Sequence, residues 1–337
     1  MNIELRGIAG PEGWPAPGCR CASCGRLRAA GVRHEPATPA RILIGGVPAE
    51  DLPRADVPGG YEVHGPHGRR ALVAAGPGAV PEPRPGVRYD AVLLDLAGSP
   101  EHLGHLRRVG AVTAETAVMA VHADHRIASP AELDRRMAFW RSPGDGPHRT
   151  LLLGGSRSGK SAEAELRLAA CPEVLYVATG PSGDGDPEWR ARVDAHRRRR
   201  PAWWRTAETT DLAGVLASAA GAVLVDGIGT WLAGAMDETA AWDDPARVSP
   251  LLDDLVAAWR GTRARVVAVS DEVGLSLVPE TPSGRAFRDL LGGLNQRLAA
   301  ESEEAALVVA GRVMELGVPG SGAMGPAVTG PAGAGAG

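Results

Sequence analysis

The chain has 337 residues, 44% hydrophobic and 23% charged. That composition excludes wholesale disorder and collagen-like repeats and leaves room for about two domains. A formal net charge of −4 gives no general attraction to nucleic acid, and no nucleic-acid partner is expected. No apolar run reaches the roughly eighteen residues a membrane span needs, and the first ten residues lack a secretory-signal layout. A cytoplasmic protein is therefore expected. Of the 36 basic residues 35 are Arg, so Lys160 is the sole lysine. The Arg excess reads as compositional bias, which does not explain why that one lysine is kept.

In chain order, strands are expected at 3–8, 41–45, 60–64, 71–75, 91–96 and 117–121 and a helix at 131–140, joined by loops rich in Pro and Gly. This part reads as α/β or α+β. Near its start, Cys19, Cys21 and Cys24 form C-x-C-x-x-C, with only Cys171 elsewhere. In a cytoplasmic chain such clustering points to thiolate coordination of a metal, with a redox site or chance as the alternatives, and structural zinc would need a fourth ligand.

Turn formers at 142–148 mark a boundary. Beyond it, short β-branched apolar runs at 150–155, 174–180, 222–227, 265–272 and 306–311 alternate with helical spacing at 161–170, 211–220, 249–260 and 284–300. Runs apolar on both faces are buried parallel strands, and repeated βα units imply a sheet covered by helices on both faces, with ligands at the carboxyl ends of the strands. From 317 to 337 the chain is mostly Gly, Ala and Pro without charge, which reads as a disordered tail.

Gly154, Gly155, Ser156, Arg157, Ser158, Gly159, Lys160 and Ser161 fit G-x-x-x-x-G-K-[ST] between an expected strand and an expected helix. Backbone N–H groups of such a loop cradle phosphates at a helix N-terminus, the lysine reaches the β/γ-phosphates and the serine holds Mg²⁺. A planar guanidinium cannot replace the slim ammonium there. Asp226 ends an apolar strand as a Walker B carboxylate does, a second Mg²⁺ ligand or simply a loop starter. The loop alone specifies phosphoryl or nucleotidyl chemistry.

Downstream, His196 is followed by Arg197, Arg198, Arg199 and Arg200. A run of like charge is usually a solvated helix end. An imidazole among guanidiniums, however, is expected to be held neutral and to sit where polyphosphate is attracted, which suits a nucleophile toward phosphorus.

GGSRSGKS, VLYVATG, RVDAHRRRRPAWWRTAE, LVDGIGTW, VVAVSDEVGLSLVPETPSGRAFRDLLGGLNQRLA and LVVAG occur in order between about 149 and 312. On these blocks the chain resembles the bifunctional adenosylcobinamide kinase/adenosylcobinamide-phosphate guanylyltransferases of cobalamin biosynthesis. The resemblance implies a GMP-histidine intermediate at His196 and nucleotide contacts at Gly154 through Ser161, Thr179, Gly180, Arg197 through Arg200, Glu208 and Asp226. It also implies ATP and GTP as substrates, Mg²⁺ at Ser161 and Asp226, adenosylcobinamide as acceptor, and a homotrimer. Ala195 stands where members often have a second His, and four Arg replace a mixed Lys-Asp-Gly-Arg.

LRGIAGPEGWPAPGCRCASCGRLRAAG, RILIGG, YEVHGPHGRRALVAAGPG, YDAVLLDLAG and AVMAVHADHR resemble phosphodiesterase-type metallo-β-lactamase-fold proteins. That resemblance implies structural zinc on Cys19, Cys21, Cys24 and His125, and makes His122 the counterpart of a catalytic-metal ligand. No H-x-H-x-D-H occurs, and Ala75 stands where a bridging Asp is expected, so this domain is expected to be degenerate and non-hydrolytic.

The expected fold class is therefore α/β. A truncated metallo-β-lactamase-like domain at 1–141 and a linker at 142–148 precede a P-loop NTPase-type domain at 149–316 and a tail at 317–337. A P-loop ATPase acting on nucleic acid through Arg197–Arg200 is the alternative function. An active metallohydrolase with an accessory nucleotide sensor is disfavoured by the missing histidines.

Overall fold

The computed structural model describes residues 2–30, 38–76, 78–141, 146–180 and 187–317. The expected tail, apart from Gly317, and residues 142–145 of the expected linker lie outside them.

The amino-terminal half is α/β: β1 (Ile3–Arg6), α1 (Ala22–Ala29), β2 (Arg41–Ile44), β3 (Val47–Pro48), β4 (Arg54–Val57), β5 (Gly60–His64), β6 (Arg70–Ala74), β7 (Ala91–Leu94), α2 (Glu101–Arg108), β8 (Ala117–Ala120) and α3 (Pro130–Arg141). β1–β2–β3 form one small antiparallel sheet. β4 to β8 form a second in sequential order, antiparallel through β6 and parallel from β6 to β8. The fully buried runs Ala71–Val73 and Ala91–Leu94 form its centre, as parallel strands covered on both faces must.

The carboxy-terminal half comprises β9 (His148–Gly154), α4 (Lys160–Leu168), β10 (Val174–Ala178), α5 (Pro187–Arg199), β11 (Arg205–Glu208), α6 (Leu212–Ser218), β12 (Ala222–Asp226), α7 (Ile228–Glu238), α8 (Ser249–Gly261), β13 (Arg265–Asp271), α9 (Pro282–Ala300), β14 (Glu304–Val309) and β15 (Arg312–Glu315). Its seven strands run β11-β10-β12-β13-β9-β14-β15, all parallel except the β14–β15 hairpin. The expected parallel core is present, flanked by two strands absent from the sequence reading. β11 (RTAE) and β15 (RVME) lie at the edges, where one-sided pairing tolerates polar side chains and the apolar signal is lost. α7 was also missed. Its buried Ile228, Trp231, Leu232, Ala235 and Met236 do fall at helical spacing, but small and glycine residues on the other face leave few polar residues to mark it. β9 begins at His148, inside the expected linker.

The two halves meet along the phosphate-loop helix. α3 packs on α4, the fully buried Trp140 donates its indole N–H to Leu166 O at 2.9 Å, and Arg135 pairs with the buried Glu163 at 2.8 Å. Glu163 also accepts from Arg167 at 3.0 Å, whose other nitrogens reach Glu304 and Glu315. Phe139 lies beneath the guanidiniums of Arg135 and Arg167, a cation–π arrangement that covers apolar surface at the seam.

Candidate active site

The site forms where β9, β10, β12 and β13 end. After Gly154 the chain turns through Gly155, Ser156 and Arg157, which are exposed, to Ser158 and Gly159. A Cβ on Gly154 would lie 2.5 Å from Ser158 Oγ and 2.6 Å from Val308 O, and Gly159 caps α4 at φ +100°. Only glycine meets both demands without strain. Ser158 O accepts from Gly311 N at 2.7 Å, tying the loop to the β14–β15 turn.

Lys160 is buried, and its ammonium lies 3.0 Å from Gly155 O and 2.9 Å from Asp271 Oδ1. Asp271, at the end of β13, was not foreseen; its only sequence signal was a strand-terminal acid like that of Asp226. Ser161 Oγ donates to Asp226 Oδ1 at 3.3 Å, so the expected Mg²⁺-ligand pair is brought together. Both donors are hard oxygens, Ser161 in the first turn of α4 and Asp226 at the end of β12, the donor chemistry that Mg²⁺ takes.

Asp226 is the hub of the site. Its other oxygen accepts from Tyr176 OH at 2.7 Å, and His196 Nδ1 approaches that oxygen to 3.1 Å, close but misaligned for a good hydrogen bond. Burial works against its ionisation, but His196 and the hydroxyls of Tyr176 and Ser161 outweigh burial and hold the carboxyl below its ordinary value. Burial, together with the adjacent Asp226 charge, pushes the Tyr176 phenol well above its ordinary value.

The expectation that guanidiniums surround His196 needs correction. Its nearest charged neighbours are carboxylates, Asp226 at 3.1 Å and Glu165 at 3.8 Å. The reason is helical geometry: α5 continues through Arg199, so only residues three and four positions on share the face of His196. Arg199 is paired with Glu165 at 2.8 Å, and Arg200 stacks on Tyr176, 3.5 Å from the ring centroid. Arg197 lines the cleft while Arg198 is exposed. The tract is thus divided between packing and the cleft rather than forming a free basic stripe.

Lys160, Gly180, His196, Arg197, Arg200, Glu208 and Asp226 line one cleft together with Tyr176 and Asp271. Thr179 differs from expectation. It is 5% exposed, and its hydroxyl donates to Gly227 O at 2.6 Å and accepts from Gly227 N at 3.1 Å. It joins the ends of β10 and β12, which positions Gly180 and Asp226.

In the other half, the sulfurs of Cys19, Cys21 and Cys24 lie within 4.8 Å of one another. Cys21 caps α1 and accepts from Cys24 N at 3.4 Å, which holds its thiol below its ordinary value, while burial raises that of Cys24. His125 does not join the cluster at that mutual distance, although its segment packs on α1 through Ser23 Oγ donating to Ile127 O at 2.7 Å. His122 has φ +60° and offers its carbonyl to Arg126.

Comparison with known proteins agrees with this geometry. Residues 150–316 match the family model described as cobinamide kinase/cobinamide phosphate guanyltransferase. The chain is 40% identical over 179 residues to the bifunctional adenosylcobalamin biosynthesis protein CobU of Salmonella typhimurium, covering 48% of this chain and 95% of that protein. It is 37% identical over 174 residues to the protein of that name from Escherichia coli, covering 48% and 95%. To the bifunctional adenosylcobalamin biosynthesis protein CobP of Pseudomonas aeruginosa it is 41% identical over 174 residues, covering 50% and 96%. Among the described residues no helix is long and apolar enough to cross a membrane.

Proposed function

Because this chain belongs to the cobinamide kinase/cobinamide phosphate guanyltransferase family, we propose that its one cleft serves both reactions, with His196 carrying the guanylyl group between them. The chain is a bifunctional enzyme of cobalamin biosynthesis, an adenosylcobinamide kinase and a cobinamide-phosphate guanylyltransferase. The observation that carries this shared-cleft reading, in the cleft lined by Lys160 and His196, is Asp226, which contacts phosphate-loop Ser161 with one oxygen and approaches His196 with the other.

In the kinase reaction the γ-phosphorus leaves its bridging oxygen for the acceptor hydroxyl oxygen, the hydroxyl proton is released to solvent, and a nucleoside diphosphate departs. Lys160 exchanges its contacts with Gly155 O and Asp271 for phosphate oxygens, placing a compact charge where the transferring group needs it. Magnesium held by Ser161 and Asp226 would supply further neutralisation of phosphate charge.

In the second reaction an imidazole nitrogen bonds to the α-phosphorus of GTP and pyrophosphate leaves. A phosphate oxygen of the acceptor then displaces the histidine to give adenosyl-GDP-cobinamide. Nδ1 faces Asp226, which favours the proton on that nitrogen and leaves the Nε2 lone pair as nucleophile. A covalent histidine divides the joining of two anions into two steps, each with a good leaving group. Arg197 and Arg200 line the same cleft and supply cation to the phosphates. Incubation with GTP labelled at the α-phosphorus leaves acid-labile label on the protein and none on His196→Ala; equal labelling of the variant refutes the role of His196.

The amino-terminal half holds a structural zinc in this reading, as a degenerate metallo-β-lactamase-type domain. Three thiol sulfurs within 4.8 Å of one another suit a tetrahedral soft-ligand site, whose fourth ligand would be His125 once it closes in on the cluster. Metal analysis is expected to find one zinc per chain, lost together with thermal stability in Cys21→Ser. A zinc-free protein, or a variant of unchanged stability, overturns this.

A further inference from the structure

The opposite end of the seven-stranded sheet carries a second cleft, of about 870 Å³, within the size range of small-molecule sites. Its rim holds Arg107, Arg108, Arg205, Arg263 and Arg265, and among the described residues Glu173 is the only carboxylate in its lining. Arg205 and Arg265 open β11 and β13, so the cleft lies at the amino ends of strands whose carboxyl ends carry the catalytic residues. One strand length, roughly 15–20 Å, separates the two sites.

Five like charges on one cleft repel each other and are costly unless compensated. Among the described residues one carboxylate, Glu173, lines the cleft with them, and none of the five arginines forms an ion pair. Arg107 donates to two carbonyls, Ala170 O at 2.8 Å and Arg141 O at 3.0 Å, rather than to a carboxylate. The side chains of Arg108, Arg205, Arg263 and Arg265 have no ion-pair or hydrogen-bond partner there. Burial lowers the Arg107 guanidinium to about 10, outweighing Cys171, which acts the other way. The floor is apolar and small: Leu175, Val215, Val223 and the stretch from Ala219 to Ala222.

Both halves build the cleft. Arg107 and Arg108 end α2 in the amino-terminal half. They reach the sheet because Gly104 lets α2 approach; a Cβ there would lie 2.7 Å from Ala169 O and 2.8 Å from Cys171 O. The family match begins at residue 150, so two of the five arginines come from outside it.

We propose that this cleft binds a polyphosphate-bearing anion of nucleotide size, at a site distinct from the catalytic one and completed by the amino-terminal half. Guanidinium forks pair with phosphate oxygens bidentately, and an apolar floor accommodates an organic body above them.

The test is calorimetric titration of the full chain with inorganic pyrophosphate. Lys160→Ala weakens binding at the phosphate loop and leaves one pyrophosphate site per chain. Adding Arg108→Glu and Arg263→Glu, both at exposed positions, weakens that remaining site about tenfold or more. The milder Arg108→Gln/Arg263→Gln pair weakens it in the same direction, and circular dichroism confirms that the variants fold. Repeating the titration with ADP separates the sources: tighter binding than pyrophosphate assigns a nucleotide, equal binding a plain polyphosphate. The proposal is overturned if Lys160→Ala binds pyrophosphate no more tightly than the variants that also lack Arg108 and Arg263.

Discussion

Replacing Asp226 by the nearly isosteric Asn probes the hub of the site without opening a cavity. The carboxylate accepts from Tyr176 at 2.7 Å and from Ser161 at 3.3 Å and faces His196 at 3.1 Å. A hydrogen bond to a charged acceptor is worth about 1 kcal/mol more than one to a neutral acceptor, so the two hydroxyl bonds together lose about 2 kcal/mol at neutral pH. The sign changes with acid. Because the folded carboxyl is held below its ordinary 3.8, its contribution is complete above that pH and disappears as pH falls through the lower folded value. Wild type and Asp226→Asn therefore differ at pH 7 and converge in acid. Both activities fall about a hundredfold or more, since one residue serves Mg²⁺ and the histidine. Urea denaturation at pH 7 and pH 3, with separate kinase and guanylyl-transfer assays, reads all of this. A variant that loses one activity and keeps the other, or a stability gap that widens in acid, refutes the reasoning.

Lys160→Arg is expected to lower kinase turnover about a hundredfold although charge is conserved, because the slot between Gly155 O and Asp271 admits an ammonium and not a planar fork; steady-state kinetics checks it, and near-normal kcat contradicts it. Trp140→Ala empties a fully buried site between the halves and strips Leu166 O of its donor, costing about 3–5 kcal/mol in denaturant titration. Glu303, held at about 2 from an ordinary 4.5 mainly by Arg149, contributes stability that is complete above pH 4.5 and lost as pH falls toward 2. Glu303→Gln should therefore be less stable than wild type at pH 7 and equal to it near pH 2, as thermal melts across that range will read.

The phosphate loop was legible in the sequence because its chemistry is local. Two glycines, one lysine and one serine act within eight residues, and strand and helix signals flank them. Asp226 was legible for the same reason, as an acid ending an apolar strand. Glu165, Tyr176 and Asp271 were not, because their roles depend on distant pairing. Glu165 reads as an ordinary helical acid until α5 brings Arg199 and His196 against it. Tyr176 reads as a core aromatic until its hydroxyl meets Asp226, fifty residues on. The Arg tract misled in the opposite sense, since adjacency along the chain suggested a basic environment that helical rotation divides between two faces. The seam between the halves was likewise hidden. Trp140 and Arg135 belong to an unremarkable helical pattern, and only the fold sets them against Leu166 and Glu163.

The central claim is that one cleft performs two reactions and that only the second needs the histidine. Incubating His196→Ala with adenosylcobinamide, GTP and Mg²⁺ and resolving the products by mass spectrometry tests it most directly. The account predicts accumulation of adenosylcobinamide phosphate without adenosyl-GDP-cobinamide, while the unaltered chain proceeds to the latter. Adenosyl-GDP-cobinamide formed by the variant at the unaltered rate would contradict the claim.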